Sequence, residues 1–303
     1  MRSVEIFSGA GGLALGIARA GFEHLAVIER DDACYRTLKE NQSRRVETMA
    51  SWPVHHCDVR DFDYGCIPEG VDLLAGGVPC QPFSIGGKHR GHIDERNMFP
   101  ELITVIRRLK PKAVLVENVR GLARPSFAKY FGYIELMLAY PEVRPREAEP
   151  WFEHLARLER FHTKGRRNGL CYRVVHRVLN AANYGVPQRR ERLFMVAIRA
   201  DLGVEWSFPA PTHGVDGLRW SQFRSGEYWE RHRVPKTRIP KPSDGLRESA
   251  VGPQLYLIPP SDKPWLTVRD TISNLPRPAK TRTSDEPGLT HFAIPGARQY
   301  VGH

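Results

Sequence analysis

The strongest constraint on this chain sits in its first twelve residues. The apolar run 4–7 passes directly into Ser8-Gly9-Ala10-Gly11-Gly12, and residues 10–20 are small and compatible with a helix. Glycines at a strand-to-helix turn let the backbone bend sharply and let a nucleotide-like ligand approach it closely. The pattern predicts the opening unit of a parallel α/β sheet. The next apolar run, 25–28, ends at Glu29, where a carboxylate can accept hydrogen bonds from both ribose hydroxyls.

The alternation continues for two hundred residues. A polar helix is predicted over 31–41, a strand over 71–75, an amphipathic helix over 99–109, and strands over 113–116, 172–179 and 193–198. Strands alternating with helices imply a mostly parallel, Rossmann-like sheet with helices on both faces. This α/β catalytic domain is expected over residues 1–204. Prolines 141, 145 and 150 mark an insertion at about 141–169, whose helix over 151–161 reads as a solvated surface element. From about 205 the texture changes. Frequent prolines predict an irregular segment over 205–303, in which Trp220, Phe223, Tyr228 and Trp229 stand among many arginines and lysines. Such mixing suits nucleic-acid contact, and a basic linker suits it equally.

Charge narrows the partner. The chain has 45 basic and 34 acidic residues, a formal charge of +11, which points to a polyanion such as nucleic acid. Its cysteines, at 34, 57, 66, 80 and 171, include no C-x-x-C pair. A disulfide framework and a structural zinc site are therefore not expected, and a reducing cytoplasmic compartment fits. No signal peptide and no membrane-length apolar run is present.

Three further clusters carry chemistry. Gly76-Gly77-Val78-Pro79-Cys80-Gln81-Pro82-Phe83-Ser84 follows a strand directly, and its glycines and prolines frame one thiol. A thiolate nucleophile needs such an exposed, electropositive loop. Glu117-Asn118-Val119 ends the next strand, so Glu117 is expected near Cys80, where a carboxyl could protonate a ring nitrogen. A helix cap or salt bridge is the plain alternative for Glu117. Gln188-Arg189-Arg190-Glu191-Arg192 reads as a strand, which would put Gln188, Arg190 and Arg192 on one face. Asp58, just past a possible strand, suits either an adenine amino group or a helix cap. The glycine loop with Glu29 serves a nicotinamide cofactor and S-adenosylmethionine equally.

Together these motifs resemble one family. Residues 7–13 (FSGAGGL), 77–84 (GVPCQPFS), 117–119 (ENV) and 188–192 (QRRER) look like the cofactor loop, Pro-Cys-Gln loop, Glu-Asn-Val motif and Gln-x-Arg-x-Arg motif of DNA cytosine-5 methyltransferases, in the family's order. Residues 181–187 also resemble the family's lead into the arginine motif. The resemblance implies an S-adenosylmethionine-dependent methyltransferase sheet, double-stranded DNA as partner and no metal. It implies that Cys80 attacks C6 of a flipped cytosine, that Glu117 assists at N3, that Arg192 meets the carbonyl and that Arg190 orients the catalytic loop. Phe7 and Gly9-Ala10-Gly11-Gly12 would hold the cofactor, with Glu29 on the ribose, Asp58 on the adenine amine and Pro79 beside it. Val119 would line the pocket and Asn118 would hold it, while Gln81, Ser84 and Gln188 would face DNA.

The family's usual continuation, a recognition region, a Thr-Pro-Arg-Glu-like helix and a Gly-Asn-x-Val-Pro segment, is not found. Residues 267–276 and 296–303 resemble what leads into that region. The sequence thus reads as the front of such an enzyme, completed by a second polypeptide or cut short. The family's usual setting is a prokaryotic or phage modification system in the cytoplasm, associated with the nucleoid through DNA. An RNA cytosine-5 methyltransferase, a dehydrogenase and an inactive DNA- or partner-binding remnant are the competing readings. The first is disfavoured by Gln81-Pro82-Phe83-Ser84. The second leaves the Pro-Cys-Gln loop unexplained, and the third leaves Cys80, Glu117 and Arg192 unexplained.

Overall fold

A computed structural model of the chain describes residues 1–79, 97–165, 169–240 and 259–273. They form two units, 1–179 with 191–208, and 180–190 with 209–303.

The first unit is built on a seven-stranded sheet. Its elements are β1 (Arg2–Ile6), α1 (Gly12–Arg19), β2 (Glu23–Glu29), α2 (Asp32–Ser43), β3 (Val54–His56), β4 (Leu73–Gly76), α3 (Phe99–Leu109), β5 (Ala113–Val119), α4 (Ala128–Ala139), α5 (Trp151–Thr163), β6 (Tyr172–Asn180) and β7 (Glu191–Arg199). The strand order is β3-β2-β1-β4-β5-β7-β6. Strands β1 to β5 pair in parallel, whereas β7 runs antiparallel to β5. The order therefore reverses between β2 and β4, on either side of β1.

The central strands read as continuous apolar runs because both of their faces are covered. Val4, Ile6, Ala26, Ile28, Leu74, Val114 and Val116 meet α3, α4 and α5 in the largest core. The alternate residues turn the other way. Val27 packs with Ala14 and Leu38, and Leu73 and Ala75 pack with Ile17. Each fully buried Leu, Ile or Phe contributes roughly 1.5–3 kcal/mol. Helix α3 buries Phe99, Leu102, Ile103, Val105 and Ile106 at the helical spacing that made it legible.

The helix at 151–161 is not simply a solvated element. Leu158 and His154 of α5 are 0% and 1% exposed. The Nε2 of His154 lies 2.7 Å from the Val143 carbonyl, and its Nδ1 lies 2.8 Å from the Tyr133 hydroxyl of α4. The carbonyl accepts from Nε2–H, so the neutral ring's Nδ1 accepts from the tyrosine. Burial lowers the His154 pKa and favours that neutral form. Only the outer face of α5, with Phe152, is exposed.

The described residues of the C-terminal unit are more regular than their prolines suggest. Between Pro211 and Pro235 no proline interrupts, and there α6 (Val215–Phe223) and α7 (Glu227–Arg231) form. A short parallel pair, β8 (His213–Gly214) and β9 (Lys263–Pro264), and a helix α8 (Val268–Ile272) complete the unit. Tyr228 and Trp229 are buried, and the Tyr228 hydroxyl meets Thr267 Oγ1 at 2.9 Å. Residues 180–190 group with this unit. The reason is local: Thr212 N–H donates to the Asn183 carbonyl at 2.9 Å, and Trp265 Nε1–H donates to Asn183 Oδ1 at 3.0 Å.

Candidate active site

In a parallel sheet, ligands bind past the carboxyl ends of the strands, near the point where strand order reverses. That edge gathers most of the residues singled out in the sequence. Gly9–Gly12 follow β1, Glu29 ends β2, Asp58 lies just past β3, Gly77–Pro79 follow β4, and Glu117–Val119 end β5. Cys80, Gln81 and Ser84 lie outside the described residues.

The β1–β2 corner is organised by backbone donors. Phe7 and Gly9 turn through positive φ, 54° in each case. Gly11 caps α1 at φ 86°. A Cβ added at Gly11 would come within 2.6 Å of Leu38 Cδ2, so both backbone angle and space require glycine there. The carboxylate of Glu29 accepts from Gly9 N–H at 2.6 Å, Arg30 N–H at 2.8 Å and Asp31 N–H at 2.7 Å. The Oε2 atom takes only the first of these, so one acceptor position is left for an incoming hydroxyl. Ser8 Oγ is buried without a hydrogen-bond partner. An orphaned hydroxyl beside a glycine turn and a tethered carboxylate fits a nucleoside cofactor such as S-adenosylmethionine.

Asp58 is less available. Its Oδ1 accepts from the Arg60 backbone N–H (3.0 Å) and Nε (2.9 Å), and its Oδ2 from Arg60 Nη2 (2.8 Å) and Arg30 Nη1 (3.1 Å). Four donors fill the four lone-pair positions of a carboxylate. Hydrogen bonds from Arg60, with Arg30 assisting, hold its carboxyl far below the usual range against the opposing effect of burial. An adenine amine could reach Asp58 only if a guanidinium let go. Sequence reasoning missed this cage. The spacing of Asp58 and Arg60 was its one local signal, since Arg30 arrives from a different strand end.

Glu5 was also missed. It sits in the middle of β1, fully buried, with neither carboxyl oxygen hydrogen-bonded in normal geometry. Burial raises its pKa to about 8, opposed by the nearby Ala14 backbone, which favours the protonated form.

The β4–β5–β7 corner is organised by side chains. Register sets Gly76 opposite Val116, and a Cβ on Gly77 would lie 3.6 Å from Glu117 Oε2. The Glu117 carboxylate therefore rests against the loop that leads to Cys80. Asn118 Nδ2–H donates to the Val78 carbonyl at 3.1 Å, and Asn118 Oδ1 accepts from Val119 N–H at 2.8 Å. That side chain ties the β5 end to the same loop. Across the antiparallel pairing, Arg192 faces Val119, and its Nε reaches Glu117 Oε1 at 3.0 Å. The two side chains are 26% and 27% exposed, so the pair is open to exchange with a ligand.

The arginine motif is not one strand face. Strand β7 begins only at Glu191. Gln188 and Arg190 precede it, and there Arg190 N–H donates to Asn180 Oδ1 at 3.2 Å and the Arg190 carbonyl accepts from Ala181 N–H at 3.0 Å. The period-two expectation fails at Gln188, where the chain bends and the backbone N–H donates to the Val186 carbonyl at 2.8 Å before the ladder starts. Of the two arginines expected to act together, the first unit holds Arg192 and the second holds Arg190.

The profile of the C-5 cytosine-specific DNA methylase family matches residues 1–139 and 155–287. The chain belongs to this family. The unmatched stretch, 140–154, falls largely within the segment read as an insertion. Among curated members, Type II methyltransferase M.NgoMIV of Neisseria gonorrhoeae is 39% identical over 209 residues, covering 69% of this chain and 55% of that relative. M.Eco47II of Escherichia coli is 32% identical over 317 residues, covering 98% of this chain and 64% of the relative. M.AquIA of Picosynechococcus sp. is 32% identical over 282 residues, covering 90% of this chain and 88% of the relative. The chain spans about half the length of M.NgoMIV and of M.NaeI of Lentzea aerocolonigenes, 55% and 47%. Among the described residues no cluster of three His, Cys, Asp or Glu side chains could hold a metal, and no helix is long and apolar enough to cross a membrane.

Proposed function

We propose that the chain methylates C5 of cytosine in duplex DNA, using S-adenosylmethionine. The observation that carries this reading is the Glu117–Arg192 pair resting against Gly77, three residues before Cys80 and on the same sheet edge as the glycine loop. A dehydrogenase reading leaves this acid–guanidinium pair and the Pro-Cys-Gln loop unexplained.

The target base is turned out of the duplex. The Cys80 thiolate attacks C6 and forms a carbon–sulfur bond, which drives ring electrons toward C5. Glu117 donates a hydrogen bond or proton at N3, so negative charge does not accumulate on the ring. Arg192 exchanges part of its contact with Glu117 for the cytosine carbonyl, and Arg190 orients the loop. When bound, S-adenosylmethionine supplies the methyl group to C5. Loss of the C5 proton to a base then breaks the carbon–sulfur bond and frees Cys80. Phe7, Gly9-Ala10-Gly11-Gly12, Glu29 and Pro79 hold the cofactor, and Asp58 joins them once a guanidinium withdraws. Asn118 fixes the loop, Val119 lines the pocket, and Gln81, Ser84 and Gln188 face DNA. The bacterial Type II relatives support a cytoplasmic setting; association with the nucleoid through DNA and a second polypeptide supplying sequence recognition are part of the proposal.

The test incubates the purified chain with labelled S-adenosylmethionine and either duplex DNA or transfer RNA, beside Cys80→Ala. Label in DNA as 5-methylcytosine, weak or absent with the chain alone and absent from the variant under every condition, is the expected result. Label that appears only when a second polypeptide bearing a recognition region is added supports a shared enzyme. Label in transfer RNA alone, or none under any condition, overturns the reading.

A further inference from the structure

Glu5 is a buried carboxyl that the chemistry above does not use. Its neighbours Val4 and Ile6 turn into the largest core, so Glu5 faces the other side of the sheet, beneath α1. Register sets it between Val27 and Ala75, which pack with Ala14 and Ile17 of that helix. Neither of its oxygens has a hydrogen-bond partner in normal geometry, and Ser8 Oγ, three residues on, is orphaned in the same way. Buried polar groups are almost always paired, so two unpaired ones at the foot of one turn call for a reason.

Little around Glu5 holds a charge. His24 of β2 shares its face, with Nε2 3.0 Å from the Ala14 carbonyl and Nδ1 3.0 Å from Ser3 Oγ. Burial lowers the His24 pKa and favours the neutral ring. Glu29, at the end of β2, is engaged by three backbone N–H groups. Arg2 and Glu23 stand at the far, amino ends of β1 and β2. On this face β4 offers Leu73 and Ala75, and α2 offers Leu38 while its charged side chains are exposed. The one charged side chain of α1, Arg19, is exposed and paired with Glu47. Burial and the Ala14 backbone, in the first turn of α1, therefore set the Glu5 carboxyl at about 8.

The turn at Gly9–Gly12 runs into the start of α1, where free N–H groups form the positive end of the helix dipole. Gly11 gives that end no side-chain cap. Such an end favours anions, yet S-adenosylmethionine carries a sulfonium and an ammonium against one carboxylate. After methyl transfer the sulfur is a neutral thioether and the net charge is zero. A carboxylate beneath the helix start offsets the mismatch for the cation alone. Buried charges are screened little, so Glu5 can respond to a charge it does not touch. The geometry points to Glu5 as the residue by which the cofactor turn distinguishes the methyl donor from the spent product. Its O–H bond breaks, the proton passing to solvent, when the sulfonium ligand is held, and stays intact when the thioether is held. This inference rests on the proposed use of S-adenosylmethionine and adds product discrimination to it.

Calorimetric titration of the full chain and of Glu5→Gln with S-adenosylmethionine and S-adenosylhomocysteine tests it, from about pH 6.5 to about pH 8.5. Two buffers of different ionisation enthalpy count the protons released. Both ligands carry an α-amino group that titrates near pH 8, so the free ligands are titrated separately and their share subtracted. An adjacent opposite charge lowers a carboxyl pKa by about one unit or more, and one unit is about tenfold in affinity. The preference of the full chain for the sulfonium ligand should rise about tenfold across this range and level off above about pH 8. The sulfonium ligand should also release the additional proton. Glu5→Gln should keep the parental near-UV circular dichroism and show a preference that is flat in pH. If that variant does not fold, the proton count on the full chain decides. Equal proton release by both ligands overturns the inference, as does a folded variant that keeps the parental pH dependence. A chain that binds S-adenosylmethionine with either result loses this inference alone. A chain that binds neither ligand loses the proposed cofactor, and this role of Glu5 with it.

Discussion

Glu29 and Glu117 stand at strand ends on the same edge of one sheet, yet they are held in different ways. Three backbone N–H groups fix Glu29, whereas one exchangeable guanidinium meets Glu117. Backbone donors cannot leave without unfolding the turn. A side-chain partner can swing to a ligand and back. The first corner is therefore built for holding and the second for turning over, and the two should respond differently to substitution.

The largest separation should come from Glu117→Gln. Loss of a positioned acid costs about 10²–10⁴-fold in rate, so methyl transfer should fall by that much while cofactor affinity and melting temperature stay at parental values. An equal loss of cofactor binding would erase the contrast between the corners. Next is Glu29→Ala, which should weaken cofactor binding about 10- to 100-fold, since a hydrogen bond to a charged group contributes roughly 1.5–3 kcal/mol. Calorimetric titration reads this directly, and it should also lower the melting temperature by freeing three N–H groups. A smaller effect is expected at Gly11→Ala. Strain at positive φ and overlap with Leu38 should destabilise the chain by about 1–3 kcal/mol, read by denaturant unfolding.

The smallest effect concerns Asp58, which belongs to neither type because two guanidinium groups and the Arg60 backbone N–H together fill every acceptor position. Its folded pKa is depressed, so its contribution to stability is complete above the unfolded value near 4 and is lost as pH falls below it. Asp58→Asn should therefore lower stability at pH 7 by under about 1 kcal/mol, since its arginine partners are exposed, and should flatten the acid limb of the stability curve. Arg30→Ala should leave stability nearly unchanged and should tighten cofactor binding slightly, if vacating one acceptor position helps an adenine amine. An unchanged or weaker affinity would put Asp58 outside the cofactor site.

Much of the first unit was legible because its strands and amphipathic helices obey local periods. Phe99–Leu109 was read to the residue. Helix α4 was not: Tyr130, Phe131, Tyr133, Ile134, Met137 and Leu138 are buried on one face, but Gly132, Leu136 and Ala139 on the opposite face blur the contrast that would mark it in the sequence. The bend at Gln188 was misread because it rests on a backbone bond to the Val186 carbonyl that side-chain periodicity does not register. The Arg30 arm of the cage on Asp58 and the tie from Asn118 to Val78 escaped because each joins residues that only the sheet order brings together. The C-terminal helices were masked by counting prolines rather than measuring the gap between them.

The placement of β7 also has a consequence for how the protein is made. Because β7 lies between β5 and β6, the sheet cannot be completed in the order of synthesis. A chain emerging from the ribosome can form the β1–β5 sheet with its glycine turn and its Glu29 tether. It must then wait for residues up to Arg199 before β7 can dock on β5. The Glu117 carboxylate spends that interval without Arg192. Cofactor-binding capacity can thus arise early on a nascent chain, while the acid–guanidinium pair is acquired only late in its synthesis.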